Sequence, residues 1–151
     1  MNILLIYATN SGGTFISSEI ISESLKAKGH TITVKNAKDA QPADMDAPDL
    51  IILGSPSWMY EGMDGHPHDE MMHFFDRCKG KTVEGKKFAV YGLGDSSYPN
   101  FCGAVKHLEN FIAELKGVLV VNSLRIDGFF FAEEKSRKMV EVWTENLSTK
   151  L

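Results

Sequence analysis

Short apolar runs alternate along the chain with stretches of helical period. The apolar runs occupy residues 2–8, 30–36, 49–55, 87–94 and 118–126. Continuous runs of this length are typical of parallel strands that are covered on both faces. The pattern therefore predicts five strands.

Stripes of apolar residues at helical spacing lie between and after these runs. The clearest stripe steps by four and three residues through Phe101, Val105, Leu108, Ile112 and Leu115. The others are Met71, Phe74, Phe75 and Cys78; Met139, Val140, Trp143 and Leu147; and a less regular set of Ile16, Ile20, Ile21 and Leu25, with Gly29 as its stop. Residues 37–48 are too polar and proline-broken for more than a short helix. Strand-helix alternation with right-handed crossovers predicts an α/β fold, a doubly wound open five-stranded parallel sheet with helices on both faces.

Composition narrows the class of protein. The 151 residues are 43% hydrophobic and 24% charged, which fits a single domain over residues 1–151. Sixteen Lys and Arg against twenty Asp and Glu give a net charge of -4, which disfavours a nucleic acid or an anionic membrane as partner. Two widely spaced cysteines, without a CxxC motif or a secretory start, favour a reducing, cytoplasmic location. No apolar run is long enough to cross a membrane.

The first loop of interest, "TNSGGT", comprises Thr9, Asn10, Ser11, Gly12, Gly13 and Thr14. It follows the first strand, at the sheet edge where ligands bind, and opens the first helix at about Thr14. Free N–H groups of a helix start, glycines that allow close approach and three hydroxyl donors favour a phosphate there. The lysine of GxxxxGK[ST] is absent, and so is GxGxxG. An ordinary helix-capping turn is the alternative interpretation.

Two further loops offer aromatic side chains. Residues 55–70 form a long connection that carries Trp58 and Tyr60, and residues 92–103 carry Tyr98, directly before a proline. Aromatic residues from two neighbouring loops can sandwich a flat ring. A phosphate at the first loop and a planar ring at the other two together describe a mononucleotide.

The motifs "TNSGGT", "GSPSW" and "GLGDSSYPNFCGAV" resemble the three flavin mononucleotide (FMN) loops of a short-chain flavodoxin, and the resemblance extends over the whole chain. It implies the strand order 2-1-3-4-5. It also implies that residues 9–14 hold the phosphate, that Trp58 and Tyr98 flank the flavin ring and that the backbone of the third loop reads its polar edge. The remaining implied cofactor residues are Pro56, Ser57, Met59, Leu93, Gly94, Asp95, Asn100, Phe101 and Cys102.

Two residues depart from the family pattern. Gly13 stands where many relatives have asparagine, so a side-chain hydrogen bond to the phosphate is absent. Met59 stands where glycine is frequent, which bears on a peptide that flips when the flavin is protonated.

All three loops lack fixed positive charge, since no lysine or arginine occurs in residues 1–25, 55–76 or 92–105. An electron that makes the ring anionic would then enter a negative surrounding. We therefore expect a low-potential one-electron carrier that cycles between semiquinone and hydroquinone. It would be a monomer, not an enzyme, and would dock basic reductases or oxidoreductases through an acidic rim of Glu61, Asp64 and Asp69. The alternatives are an FMN-dependent NAD(P)H:quinone or nitro reductase and a flavin-free interaction module.

Other conspicuous residues have ordinary interpretations. His66, His68 and His73 are expected to tune surface charge rather than to bind a metal. Phe129 to Phe131 are expected to pack as a plug between strand and helix. Cys102 heads a helix, where its thiolate would be favoured.

Overall fold

The computed structural model describes all residues, 1–151. The strands are β1 (Asn2–Tyr7), β2 (Thr31–Asn36), β3 (Leu50–Tyr60), β4 (Met63–Pro67), β5 (Lys87–Gly94), β6 (Val118–Leu119) and β7 (Leu124–Asp127). The helices are α1 (Gly13–Ala27), α2 (Asp69–Arg77), α3 (Gly103–Glu114) and α4 (Glu133–Ser148), with short 3-10 helices at Pro42–Met45 and Phe129–Ala132.

The central sheet is parallel and runs in the order β2-β1-β3-β5-β6, which confirms the predicted open sheet and its strand order. The predicted strand over residues 118–126 is in fact two short strands, β6 and β7, that both pair with β5. The ladder breaks between them, where the carbonyl of Asn122 accepts a hydrogen bond of 2.9 Å from the indole Nε1 of Trp143. That carbonyl is directed to α4 instead of to a neighbouring strand.

The predicted long loop after the third strand is a β-hairpin. β3 continues past the sheet to Tyr60 and pairs antiparallel with β4. The turn between them has positive φ at both Glu61 and Gly62, 50° and 79°, as in the primed two-residue turns that match strand twist. The sequence analysis treated residues 55–70 only as a long connection and missed the hairpin, because a Glu-Gly pair is a weaker turn signal than Asn-Gly.

Helices cover both faces of the sheet, as predicted. One core of twenty residues joins alternate strand positions such as Leu4 and Ile6 to α2 and α3. The other, of sixteen residues, joins Ile3 and Leu5 to α1 and α4. No helix is both long and apolar enough to span a membrane.

Candidate functional site

A cavity of about 420 Å³ opens at the carboxyl ends of β1 and β5 and beside the extended end of β3. It lies where a doubly wound sheet binds its ligand. The structure brings fourteen of the predicted site residues together around it: Thr9, Asn10, Ser11, Gly13, Thr14, Pro56, Ser57, Trp58, Met59, Leu93, Gly94, Asp95, Tyr98 and Asn100. The other three, Gly12, Phe101 and Cys102, do not line it.

One end of the cavity is formed by the start of α1. Gly12 precedes the helix with φ 97°, and no side chain caps the first turn, so its N–H groups are available to a ligand. The Thr9 hydroxyl accepts a hydrogen bond of 3.0 Å from the Gly12 N–H, which shapes the loop. Thr14 lines the cavity, and its hydroxyl is buried and has no hydrogen-bond partner. A buried polar group is normally paired, so this hydroxyl indicates a ligand atom with hydrogen-bonding capacity.

Gly13 is a glycine for reasons of space. A Cβ placed on it would lie 2.7 Å from Cδ2 of Leu93 and 3.3 Å from Cγ of Phe129. A side chain at this position would require Leu93 and Phe129 to shift.

The cavity is also lined by two aromatic side chains from different elements. Trp58, near the end of β3, is 38% exposed, and Tyr98, in the loop after β5, is 60% exposed. Beside Trp58, Met59 lies at the register shift in the β3–β4 ladder and is itself exposed. Large apolar residues left accessible around a cavity are suited to covering a flat ligand.

The loop after β5 is held by its own hydrogen bonds. The Asp95 carboxylate accepts bonds of 2.6 Å from the Ser97 hydroxyl and 2.9 Å from the Ser97 N–H. These two bonds lower the pKa of Asp95, the hydroxyl more than the amide, so the carboxylate is ionised at neutral pH. The Ser57 hydroxyl accepts a hydrogen bond of 3.1 Å from the Ala104 N–H, which connects the second loop to the start of α3.

Cys102 differs from its sequence-based interpretation. It caps α3 in a left-handed conformation, φ 49°, with its thiol buried between the carbonyls of Gly92 and Ile126 at 3.8 Å. Burial raises the pKa of the thiol to about 11. The expected stabilisation of the thiolate was wrong, because desolvation outweighs the helix start.

Three cavity residues were not predicted as site residues: Asp64, Phe129 and Phe130. Phe129 is buried, as a packing plug requires, whereas Phe130 is half-exposed. Spacing alone gives no sign that the turn after β7 reaches the site, since it arrives from the far end of the sequence. The nearest sequence signal is the run of three phenylalanines directly after a strand end.

The charge of the lining is negative. Among the seventeen lining residues the only charged groups are Asp64 and Asp95, and none is Lys, Arg or His. The three loops that lack lysine and arginine in the sequence therefore line one cavity without a basic side chain.

The histidines form no cluster that could hold a metal ion. The His68 Nδ1 accepts a bond of 3.2 Å from the Glu70 N–H and caps α2. His66, on β4, stacks against His107, on α3, with 4.3 Å between ring centroids.

The open parallel sheet and the cavity at its carboxyl edge define a doubly wound α/β protein with one switch-point site. The sequence model of the Flavodoxin family matches residues 5–136. The chain is 28% identical over 149 residues to a flavodoxin of Maridesulfovibrio salexigens, covering 98% of this chain and 97% of that one. Among solved structures, oxidised flavodoxin 2 of Bacillus cereus has a TM-score of 0.88 and 30% identity over the full length of both chains. A Fusobacterium nucleatum flavodoxin bound to FMN has a TM-score of 0.84 and 17% identity, covering 99% and 98% of the two chains.

The chain therefore belongs to the flavodoxin family. Members of this family are FMN-binding electron carriers.

Proposed function

We propose that this chain binds FMN without a covalent bond and carries single electrons, acting as one domain. The observation that carries the proposal is the cavity itself, which is lined both by Thr14, with its unpaired hydroxyl at a helix start, and by Trp58 and Tyr98. The first feature suits a phosphate and the second a planar ring. Bound FMN supplies reversible one-electron chemistry, which the side chains of the cavity do not have.

In this proposal the phosphate is held by the hydroxyls of Thr9, Ser11 and Thr14 and by the N–H groups of the first turn of α1. Pro56 and Ser57 lie beside the ribityl chain, and Trp58 and Tyr98 cover the ring. Leu93, Gly94, Asp95 and Asn100 border the polar edge of the ring. The lining contains no cation, so neutral donors and the helix start bear the whole phosphate charge.

We propose further that the potential for the second electron is low. The ring takes on negative charge at that step, and Asp64 and Asp95 repel it without a lysine or arginine to compensate. Each kcal/mol of such repulsion lowers a one-electron midpoint by about 43 mV. The working cycle would therefore run between the one-electron-reduced semiquinone and the two-electron-reduced hydroquinone.

An anaerobic redox titration of the FMN-loaded protein, followed by its visible spectrum, tests this proposal. We expect FMN uptake, a spectrally distinct one-electron-reduced form and a second midpoint below that of free FMN. A second midpoint at or above the free value would refute the low-potential cycle. Rapid oxidation of NADPH by the protein alone would instead favour a reductase.

We propose that the partners are redox proteins with basic docking surfaces, because Glu61, Asp64 and Asp69 lie on or next to the hairpin that carries Trp58. Such contacts are small and salt-sensitive. A reducing, cytoplasmic location is supported by Cys78 and Cys102, which are both buried and unpaired. A monomer is the corresponding proposal for the oligomeric state.

A further inference from the structure

The end of β7 and the turn that follows it reach the cavity from outside the three loops. This segment consists of Asp127, Gly128 and the first two residues of the 3-10 helix, Phe129 and Phe130, and we call it the aromatic turn. Phe129 and Phe130 both line the cavity. Their neighbour Phe131 does not line it and is 89% exposed.

The aromatic turn is fixed to the loop after β5 through its backbone and through one carboxylate. The Gly128 N–H donates a bond of 2.8 Å to the Gly94 carbonyl. The Asp127 carboxylate accepts hydrogen bonds of 2.9 Å from the Ser96 N–H and 2.7 Å from the Ser96 hydroxyl. Gly128 takes the left-handed conformation, φ 55°, that starts the turn. The turn is therefore held in place before any ligand arrives.

Phe129 lies beside Gly13, in the loop of residues 9–14. Phe129 is buried. A Cβ placed on Gly13 would contact Leu93 first and then the ring of Phe129. Phe130 packs edge-on against Phe129, with 5.1 Å between ring centroids, and is 49% exposed. Gly13 directly precedes Thr14, whose hydroxyl is the unpaired group in the cavity. Phe130 thus presents uncovered apolar surface to the cavity, next to the phenylalanine that contacts the loop of residues 9–14.

We propose that the aromatic turn is a fourth wall of the FMN site, and that Phe130 is a binding residue that shields the ribityl phosphate from water. Hydrogen bonds to an anion strengthen when water is excluded, because the local dielectric falls. This matters here because no lysine or arginine lines the cavity. The inference rests on the proposed function, since it concerns the same cofactor.

The test compares Phe130→Ala with Phe131→Ala, a matched change at the next residue of the same 3-10 helix. The apoproteins are titrated with FMN and, separately, with riboflavin, which lacks the phosphate, and flavin fluorescence is recorded. For Phe130→Ala we expect the Kd for FMN to rise about tenfold and the Kd for riboflavin to rise by less than about threefold. Phe131→Ala should bind both flavins as the wild type does.

A variant that retains apolar area separates shielding from damage to the fold. Phe130→Leu should give a Kd for FMN between those of the wild type and Phe130→Ala, with the thermal unfolding of all apoproteins recorded alongside. Equal FMN affinity in Phe130→Ala and Phe131→Ala would overturn the proposal, and so would an equal loss for FMN and riboflavin. If the wild-type protein takes up no FMN, the proposed function itself fails; normal uptake with no effect at Phe130 refutes only the fourth wall.

Discussion

At the scale of single residues, Gly13 connects two segments that are far apart in sequence. It opens α1 beside the unpaired Thr14 hydroxyl, while Leu93 and Phe129 close the space where a side chain would stand. With glycine at this position, the loop of residues 9–14 has no side-chain donor there, and its backbone packs close to Phe129 of the aromatic turn. The contacts with Leu93 and Phe129 give this departure from the family pattern a reason in packing.

Gly13→Ala tests this account. The added methyl group must displace Leu93 and press on Phe129, so we expect a loss of about 1–3 kcal/mol in the free energy of unfolding, and weaker FMN binding. Urea unfolding of the apoprotein and a fluorescence titration with FMN measure the two effects. In the Leu93→Ala background the same substitution should cost clearly less, because the nearest obstacle is gone. An equal cost in both backgrounds would show that Leu93 is not the obstacle.

Residue types in the three loops predict most of the cavity, but they do not predict how deeply each side chain is buried. Cys102 and Phe130 show the difference. The Cys102 thiol is buried against carbonyls of β5 and β7 and has a raised pKa, although its place at a helix start suggested a lowered one. Phe130 faces the cavity because β7 ends beside the phosphate loop. Both outcomes depend on contacts with segments that are distant in sequence, and local patterns carry no record of them.

At the scale of elements, the β3–β4 hairpin is the part of the fold that places Trp58. Its second strand lies against the start of α3, where a Cβ on Gly103 would meet the Gly65 carbonyl at 2.5 Å. Next to that close backbone contact, the rings of His66 and His107 stack. The strands of the sheet were predictable because buried parallel strands are continuous apolar runs. The hairpin was not, since its turn and its partner α3 leave no such signature.

The histidine stack gives the hairpin a pH dependence. Burial, and then the nearby His66, lower the pKa of His107 below its ordinary value of 6.5. Well above pH 6.5 the ring is neutral in both the folded and the unfolded chain. As the pH is lowered through 6.5, the unfolded chain takes up a proton at His107 before the folded chain does. The free energy of unfolding therefore decreases as the pH is lowered, until the pH is below the folded-state pKa.

His107→Gln should therefore reduce the loss of stability between pH 7.5 and pH 5.5, because glutamine takes up no proton. Urea unfolding of the apoproteins at the two pH values gives the comparison. His73→Gln removes a histidine that faces Tyr60 at 6.4 Å and not the stack, and it should leave the wild-type dependence in place. A pH dependence in His107→Gln as steep as that of the wild type would contradict the assignment.

At the scale of the whole molecule, charge is distributed unevenly between the two edges of the sheet. The carboxyl edge holds the cavity with Asp64 and Asp95, and Glu61 projects from the hairpin turn beside it. The amino edge, next to the start of β5, carries Glu84 close to Lys86 and Lys87. The sequence shows which loops lack basic residues, but only the topology shows that the acidic residues lie together at the carboxyl edge of the sheet. A basic protein that approaches the cavity is attracted by its rim.

Glu61→Lys tests whether this rim guides a partner. The reduced, FMN-loaded protein gives one electron to ferric cytochrome c, a basic acceptor, and stopped-flow absorbance records the rate. At about 10 mM salt, where screening is weak, we expect the variant to react about three- to tenfold more slowly than the wild type. At about 500 mM salt the two rates should converge, because exposed charges are then screened within a few ångströms. Glu84→Lys makes the same change of charge at the opposite edge of the sheet and should leave both rates nearly unchanged. A loss in Glu61→Lys that persists at high salt, or an equal loss in Glu84→Lys, would show that the rim does not direct docking.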